Sequence, residues 1–135
     1  MTNAALDKQL VITVNNQVGT LAQISSVIAS SGINLIAICA YAVDNRGVIM
    51  FVSDNNDLAK KLLQAKKYDI REEDVVVISL DNKPGALQLI TEKISRAGID
   101  LNLMYGSVDK AGKTSRVVFI AENNNAVLTV LKMMK

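Results

Sequence analysis

A polar turn with one glycine occurs twice in this chain, as "NNQVGTL" at residues 15–21 and as "DNKPGAL" at residues 81–87. Each copy follows a short apolar run rich in β-branched residues, "QLVITV" at 9–14 and "VVVISL" at 75–80. Each copy precedes a segment whose apolar residues recur at helical spacing. The repeated setting indicates that one strand–turn–helix unit is present twice.

A shift of about 66 positions aligns the two halves of the chain. The shift brings identical residues together at the turns and helix boundaries: Asn16 on Asn82, Gly19 on Gly85, Leu21 on Leu87, Ile24 on Ile90, Ile28 on Ile94, Gly32 on Gly98, Ile33 on Ile99 and Leu35 on Leu101. A two-residue insertion in the second hairpin then brings Phe51 onto Phe119. The sequence therefore predicts two tandem domains, at residues 1–73 and 74–135.

Each half reads strand, helix, strand, strand, helix, and the first half continues into a charged edge strand, "YDIREED" at 68–74. This βαββαβ order is typical of ferredoxin-like α+β folds, in which two helices cover one face of an antiparallel sheet. The right-handed crossover rule places the first and third strands side by side, with the fourth beside the first and the second at the opposite edge.

The second unit reaches Lys135 at the end of its last helix, so we expect it to lack its last strand. One side of "VVVISL" at 75–80 would then have no partner within its own unit, and an unpaired apolar edge tends to pair with another segment. Another chain could cover it, or residues 1–8 could.

The starts of two helices are predicted from capping residues. Thr20 is a plausible N-cap for a helix over 20–32, and Asn56 or Asp57 for a helix over 58–67.

Composition limits the possible functions. The chain has 135 residues, of which 50% are hydrophobic and 4% aromatic, so its core must consist mainly of aliphatic side chains. A net charge of +2 is too small to argue for nucleic-acid binding. We expect the only local cluster of lysines to be the solvated face of a helix rather than a phosphate site. That cluster comprises Lys60, Lys61, Lys66 and Lys67.

Catalytic and metal-binding residues are scarce. The chain has no histidine and a single cysteine, Cys39, which we expect to be a buried, inert thiol. No acid–base pair or metal-ligand spacing is evident, so we expect neither an enzyme nor a metal or other cofactor. The absence of a disulfide pair, of an apparent signal peptide and of a long apolar run favours a cytoplasmic location.

The two repeated turns have features that suit the binding of a small charged ligand. Each joins a strand to a helix N-terminus, where unsatisfied backbone N–H groups favour a carboxylate or phosphate, and glycine permits close approach. Asn16 and Asn82 precede the glycines, and we expect Asn34 to lie at the same end of the sheet as Asn16. The counterpart of Asn34 is Asp100, which would favour an ammonium group. Each asparagine could instead be a simple turn former.

The motif Asn82-Lys83-Pro84-Gly85-Ala86-Leu87, followed after a helix by Gly98-Ile99-Asp100-Leu101, resembles the ACT domain, and the first unit repeats it. The resemblance covers nearly the whole chain. It is nearest to stand-alone proteins with two tandem ACT domains. It implies regulatory binding of an amino acid at an interface between paired ACT domains, which commonly associate through their second strands.

By this resemblance, the ligand-binding residues are expected on two turns and on the second strand of each unit. They are Asn16, Val18, Gly19, Thr20, Leu21 and Asn34 in the first unit, and Asn82, Pro84, Gly85, Ala86, Leu87 and Asp100 in the second. The sequence departs from the family pattern at Val18, where proline is usual. It also departs at Val14 and Leu80, where some serine-binding members have histidine.

Two functions therefore remain open. The first is a homodimeric amino-acid-binding regulatory protein. The second is a ligand-free assembly module, or a regulatory subunit that docks on an amino-acid biosynthetic enzyme. RNA binding is disfavoured, because each third strand has a single aromatic residue and little charge.

Overall fold

The computed structural model describes residues 3–15, 17–108 and 112–132. These residues form six strands and four helices, and the chain divides into two compact units. One unit is residues 8–73, and the other is residue 74 onward together with the first seven residues. This division differs from the predicted ranges 1–73 and 74–135 in one respect, because residues 3–7 group with the second unit.

The first unit has the predicted strand order. Its elements are β1 (Asn3–Asn15), α1 (Thr20–Ser30), β2 (Leu35–Val43), β3 (Arg46–Ser53), α2 (Asn56–Ala65) and β4 (Asp69–Asp81), of which residues 8–15 of β1 and 69–73 of β4 belong to this unit. The strands lie in the order β2-β3-β1-β4. This confirms the arrangement expected from right-handed crossovers, with the first and third strands adjacent.

The second unit uses the beginning of the chain as a strand. Its other elements are β4 from residue 74, α3 (Ala86–Arg96), β5 (Leu101–Val108), β6 (Thr114–Ala121) and α4 (Asn124–Lys132). The order is β1-β4-β6-β5, so residues 3–7 of β1 lie beside β4. Ala4 packs against the core of this unit. Among the described residues no strand follows α4, and of the two predicted ways to cover the open edge, the structure has the intramolecular one.

The two long strands were only partly predicted. β1 begins at Asn3 rather than residue 9, and the predicted strands at 68–74 and 75–80 form one continuous strand, β4. Within β1, the side chains change from mostly exposed over residues 3–8 to buried over residues 9–12. The change coincides with the boundary at residue 8 between the two units.

The two cores confirm the repeat residue by residue. In the first unit the buried cluster includes Leu10, Ile12, Ile24, Ile28, Ile49, Phe51, Ala59 and Leu63. In the second unit it includes Val76, Ile78, Ile90, Ile94, Val117, Phe119, Val127 and Leu131. Each residue of the first set corresponds to the residue in the same place of the second, with the shift changing from 66 to 68 after the hairpin.

The helix starts correct two predictions. The N-cap of α1 is Gly19, and Thr20 is the first helical residue; Gly19 has no side chain with which to cap. The N-cap of α2 is Asn55, whose Oδ1 accepts a hydrogen bond from Leu58 N at 3.1 Å. Neither Asn56 nor Asp57 is the cap, because both lie inside the helix.

Asn56 has a different role, which Asn124 repeats. The Asn56 Oδ1 accepts from Ser53 N at 3.0 Å and from Ser53 Oγ at 2.6 Å, while its Nδ2 donates to Lys8 O at 2.8 Å. The Asn124 Oδ1 accepts from Ala121 N at 2.8 Å, and its Nδ2 donates to Asp74 O at 3.2 Å. Each amide therefore ties the end of one strand to the backbone of a neighbouring strand.

Candidate functional site

Both glycine turns have the same backbone conformation. Gly19 has φ 90° and ψ −7°, and Gly85 has φ 85° and ψ −7°. This left-handed conformation is unfavourable for residues with a Cβ, which explains why glycine occurs at both positions. The carbonyl oxygens of Gly19 and Gly85 accept hydrogen bonds from Gln23 N at 3.0 Å and Leu89 N at 3.1 Å, so each glycine opens its helix.

The backbone of each turn is open to approach. Around the position that a Cβ would take at Gly19 or Gly85, no atom of another segment lies within 4 Å. Neither helix start carries a side-chain cap. Thr20 N donates to Gln17 O at 3.4 Å, and Ala86 N donates to Lys83 O at 3.3 Å. The N–H groups left for water or for a ligand are therefore the next two of each helix, those of Leu21 and Ala22 in α1 and of Leu87 and Gln88 in α3.

The predicted residues of the first turn are mostly exposed. Val18 has a relative exposure of 107%, Leu21 is 45% exposed, and Thr20 is partly buried. The prediction for Asn16 lies outside the described residues. The described part of this turn therefore presents an apolar rim, Val18 and Leu21, around the open glycine.

The second turn is more constrained by its own hydrogen bonds. Asn82 Nδ2 donates to Gly112 O at 3.0 Å, and Asn82 N donates to Lys113 O at 2.9 Å. Pro84 and Gly85 are exposed, Ala86 is partly buried, and Leu87 is 44% exposed. The Asn82 amide thus ties the turn to the β5–β6 hairpin, in accord with the turn-former alternative.

The strand register contradicts the expectation that Asn34 lies at the same end of the sheet as the first turn. Asn15, which precedes the turn, pairs with Arg46, whereas Leu35, which follows Asn34, pairs with Ser53. These partners are 7 residues apart on β3, or roughly 23 Å at strand spacing. Asn34 therefore lies at the opposite end of its unit from the glycine turn.

Asp100 is displaced in the same way. Asp81 pairs with Thr114 and Leu101 pairs with Ala121, again 7 residues apart on β6. The reason is topological, because a strand that follows a right-handed crossover helix runs parallel to the first strand. It therefore starts beside the start of the first strand, at the end of the sheet opposite the turn. The predicted site residues therefore do not converge within one unit.

Backbone bonds fix the local position of Asn34 and Asp100. Asn34 N donates to Asp54 Oδ1 at 3.0 Å, and Asp54 N donates to Asn34 O at 3.1 Å. Asp100 and Glu122 make the same pair of bonds, at 3.2 and 3.0 Å. The side chains of Asn34 and Asp100 are exposed.

A groove of about 330 Å³ adjoins the second turn. It brings the predicted residues Asn82, Ala86 and Leu87 together with Met104 and Arg116. The walls include several aliphatic side chains, one acidic residue, Asp81, and two basic residues, Lys83 and Arg116. Sequence reasoning did not predict Arg116, because a charged residue on a strand carries no signal for a site.

A second groove, of about 420 Å³, adjoins the first turn. Of the predicted residues it includes Thr20, and it adds Arg46, Lys67 and Tyr68, which were not predicted as site residues. Arg46 was interpreted as part of a hairpin turn and Lys67 as part of a helix. The sequence gives no sign that they meet.

None of the described helices is long and apolar enough to cross a membrane. Over residues 3–15, 17–108 and 112–132, no three histidine, cysteine, aspartate or glutamate side chains cluster as metal ligands would.

Known structures share this fold. Protein BT0572 from Bacteroides thetaiotaomicron is 31% identical and superimposes with a TM-score of 0.88, over 96% of this chain and 88% of that one. The regulatory subunit of aspartate kinase from Thermus thermophilus, in a ligand-free form, is 16% identical, with a TM-score of 0.67 over 96% and 95% of the two chains. The corresponding subunit from Thermus flavus is 15% identical, with a TM-score of 0.65 over 97% and 94%.

No curated protein sequence matches this chain. A family model described as an ACT domain pair matches residues 6–135, which is nearly the full length and includes both glycine turns. With the duplicated βαββ frame and its paired left-handed glycines, this match shows that the chain belongs to the ACT domain pair family.

Proposed function

We propose that this protein is a regulatory protein that binds a small molecule, an amino acid, at its glycine turns, and that it has no catalytic activity of its own. The observation that carries the proposal is the pair of open, left-handed glycines at two uncapped helix starts. Membership of the ACT domain pair family supports it. The aspartate kinase subunits of the same fold are regulatory by description, which agrees with such a role.

The chemistry of the second turn suits an amino acid with an apolar side chain. The N–H groups of Leu87 and Gln88, in the first turn of α3, would receive the carboxylate, since the helix dipole favours negative charge there. Asp81, on the wall of the groove, supplies the negative charge that suits an ammonium group. Leu87 and Met104 would contact the side chain. This lining does not distinguish one apolar amino acid from another, and the thermal-shift screen described below does.

The predicted role of Asn34 requires a second copy of the chain. β2 lies at one edge of the first unit, and it exposes Ile38, Tyr41 and Val43. If β2 paired antiparallel with β2 of a second copy, the start of one strand would lie against the end of the other. Asn34 of one copy would then approach the turn end of the other. We therefore propose a homodimer, the simplest symmetric assembly, acting in the cytoplasm.

A thermal-shift screen over the amino acids tests the binding proposal, because a ligand of the native state raises its melting temperature by mass action. At least one amino acid should raise it in proportion to the logarithm of concentration. Asn34→Ala should then weaken affinity by about tenfold, as expected for the loss of one hydrogen bond to a charged group. The melting temperature without ligand should not change, since Asn34 is exposed.

Asn125→Ala is the matched control, because Asn125 is also exposed but lies on α4, outside the residues proposed to hold the ligand. If Asn34→Ala binds as tightly as Asn125→Ala, the proposed use of Asn34 is wrong.

The exposed apolar edge of β2 also favours the second candidate, an assembly module or a regulatory subunit that docks on an amino-acid biosynthetic enzyme. A flat thermal-shift screen, together with a stable dimer in light scattering, would favour this candidate over amino-acid binding.

A further inference from the structure

We propose that the first unit holds a small oxyanion of two negative charges, such as a phosphate or a dicarboxylate, in the groove lined by Arg46 and Lys67. The groove lies between the start of α1, the end of β1 and the segment that leads from α2 into β4. We call it the cation groove. The groove shares Thr20 with the site predicted at the first glycine turn, but Arg46 and Lys67 are not among the residues proposed to hold an amino acid, so the two proposals can be tested separately.

Two cations that are far apart in sequence meet here. Arg46 is the first residue of β3 and stands opposite Asn15 in the ladder. Lys67 directly follows the C-cap of α2 and has φ 65°, so it lies beyond the helix and not on its solvated face. This differs from the expectation that the four lysines share one helix face. Lys60 makes an ion pair with Glu72 at 3.0 Å, whereas Lys67 borders the groove.

Neither cation is neutralised by a neighbour. In the part of the chain that the structure describes, no ion pair involves Arg46 or Lys67. Among the described residues on the wall of the groove, Asp69 alone is acidic, so the charged groups there sum to +1. A concave surface with a net positive charge attracts anions, and the guanidinium group matches two oxygens of a carboxylate or phosphate at once.

The remaining wall is polar and partly fixed. Tyr68 Oη donates to Gln23 Oε1 at 3.2 Å and so connects the segment after α2 to α1. The Thr20 hydroxyl and the Gln17 amide also line the groove, and both can donate hydrogen bonds to an oxyanion. Val14 is the only aliphatic side chain on the wall. This lining suits a compact, charged ligand and does not suit an apolar one.

The repeat offers an internal comparison. With the shift of 68 that applies after the hairpin, the counterpart of Arg46 is Thr114, which has no charge. The arginine at this point of the fold is therefore specific to the first unit, whereas the groove beside the second turn has its basic residues, Lys83 and Arg116, at other positions.

Titrations of the full chain with inorganic phosphate and, separately, with succinate test the proposal at constant ionic strength. The readout is the chemical shift of backbone amides by NMR. Saturable shifts are expected at Gln23, Arg46 and Tyr68, and the tighter of the two probes identifies the oxyanion class. R46Q and K67Q should each weaken binding by roughly tenfold, because each removes a charge-assisted contact.

Two charge-matched variants serve as controls. R71Q and K61Q remove the same charges from exposed residues of the first unit outside the cation groove, so they should change the affinity by less than about twofold. The proposal fails if neither probe gives saturable shifts. It also fails if the controls weaken binding as much as R46Q and K67Q do. Amino-acid binding at the second glycine turn should survive R46Q, because Arg46 does not line the groove there, and this separates the present test from that of the proposed function.

Discussion

The two glycine turns share one backbone and differ in the side chains around it. The φ angles of Gly19 and Gly85 differ by only 5°. Each groove is bordered by two basic residues and one acidic residue, but the wall beside the first turn is otherwise mostly polar, whereas the wall beside the second includes Leu87 and Met104. The comparison teaches that the two units share the residues that their backbone requires and differ in the side chains around each turn.

The largest expected effect concerns the two cores, which should be equally important. Phe51 and Phe119 occupy equivalent positions and both are fully buried. Replacing either with alanine should lower the free energy of unfolding by about 3–5 kcal/mol, through lost burial and a residual cavity. Urea denaturation followed by circular dichroism measures this. A loss below about 1 kcal/mol for one variant only would mean that the two units are not equivalent in packing.

The two asparagines that bridge neighbouring strands, Asn56 and Asn124, should differ in how much each contributes to the free energy of unfolding. Asn56 makes three hydrogen bonds and Asn124 makes two, since Ser53 has a hydroxyl where Ala121 has none. We expect Asn56→Ala to cost about 2–3 kcal/mol and Asn124→Ala about 1–2 kcal/mol in unfolding free energy.

Ser53→Ala supplies the control for this comparison, because it makes the first unit resemble the second at that position. In this background the cost of Asn56→Ala should fall to that of Asn124→Ala. An unchanged difference would show that the hydroxyl is not its cause.

The glycine turns should respond alike to substitution. Gly19→Ala and Gly85→Ala should each cost about 1–2 kcal/mol, because only the left-handed φ resists a Cβ while the surrounding space is free. Asparagine tolerates this conformation better than alanine, so Gly19→Asn and Gly85→Asn should cost less. Thermal unfolding measures all four variants. If asparagine costs as much as alanine, the cause is not backbone strain.

The smallest expected effect on stability concerns a surface ion pair on the second helix of the first unit. Lys60 pairs with Glu72 in the first unit, whereas Leu128, its counterpart, packs against the second core. Lys60→Gln should cost less than about 1 kcal/mol, because both side chains of the pair are about a third exposed. Unfolding at low and at high salt measures it. A cost that persists at 1 M salt would contradict a simple surface ion pair.

Much of the fold was predictable from the sequence because the residues that the two halves share each have a clear physical role. The glycines mark helix boundaries, and the crossover rule converts the element order into a strand order. The early start of β1 was missed because residues 3–8 lack the alternating apolar pattern of a half-buried strand. The strand over 68–74 was predicted, but not its continuity with the strand over 75–80. Their pairing partners lie far away in sequence and give no local signal.

The candidate site was less predictable. The turns were identified correctly as open helix starts, but Asn34 was assigned to the wrong end of the sheet, although the crossover rule already implies the direction of β2. The cation groove was missed for a different reason. Arg46 and Lys67 are 21 residues apart in sequence, and they border one groove because β1 lies between β3, which starts at Arg46, and β4, which Lys67 precedes.

The assignment of residues 3–7 to the second unit has a consequence for biosynthesis. Residues 3–7 leave the ribosome before the rest of the second unit and must wait until the core against which Ala4 packs has been made. Residues 8–73 are contiguous and can assemble as soon as they emerge, since domains generally fold during synthesis from the N-terminal side. Nascent chains stalled shortly after β4 should thus resist protease over residues 8–73, while residues 3–7 are still cleaved. Protection of residues 3–7 at that stage would refute this order of events.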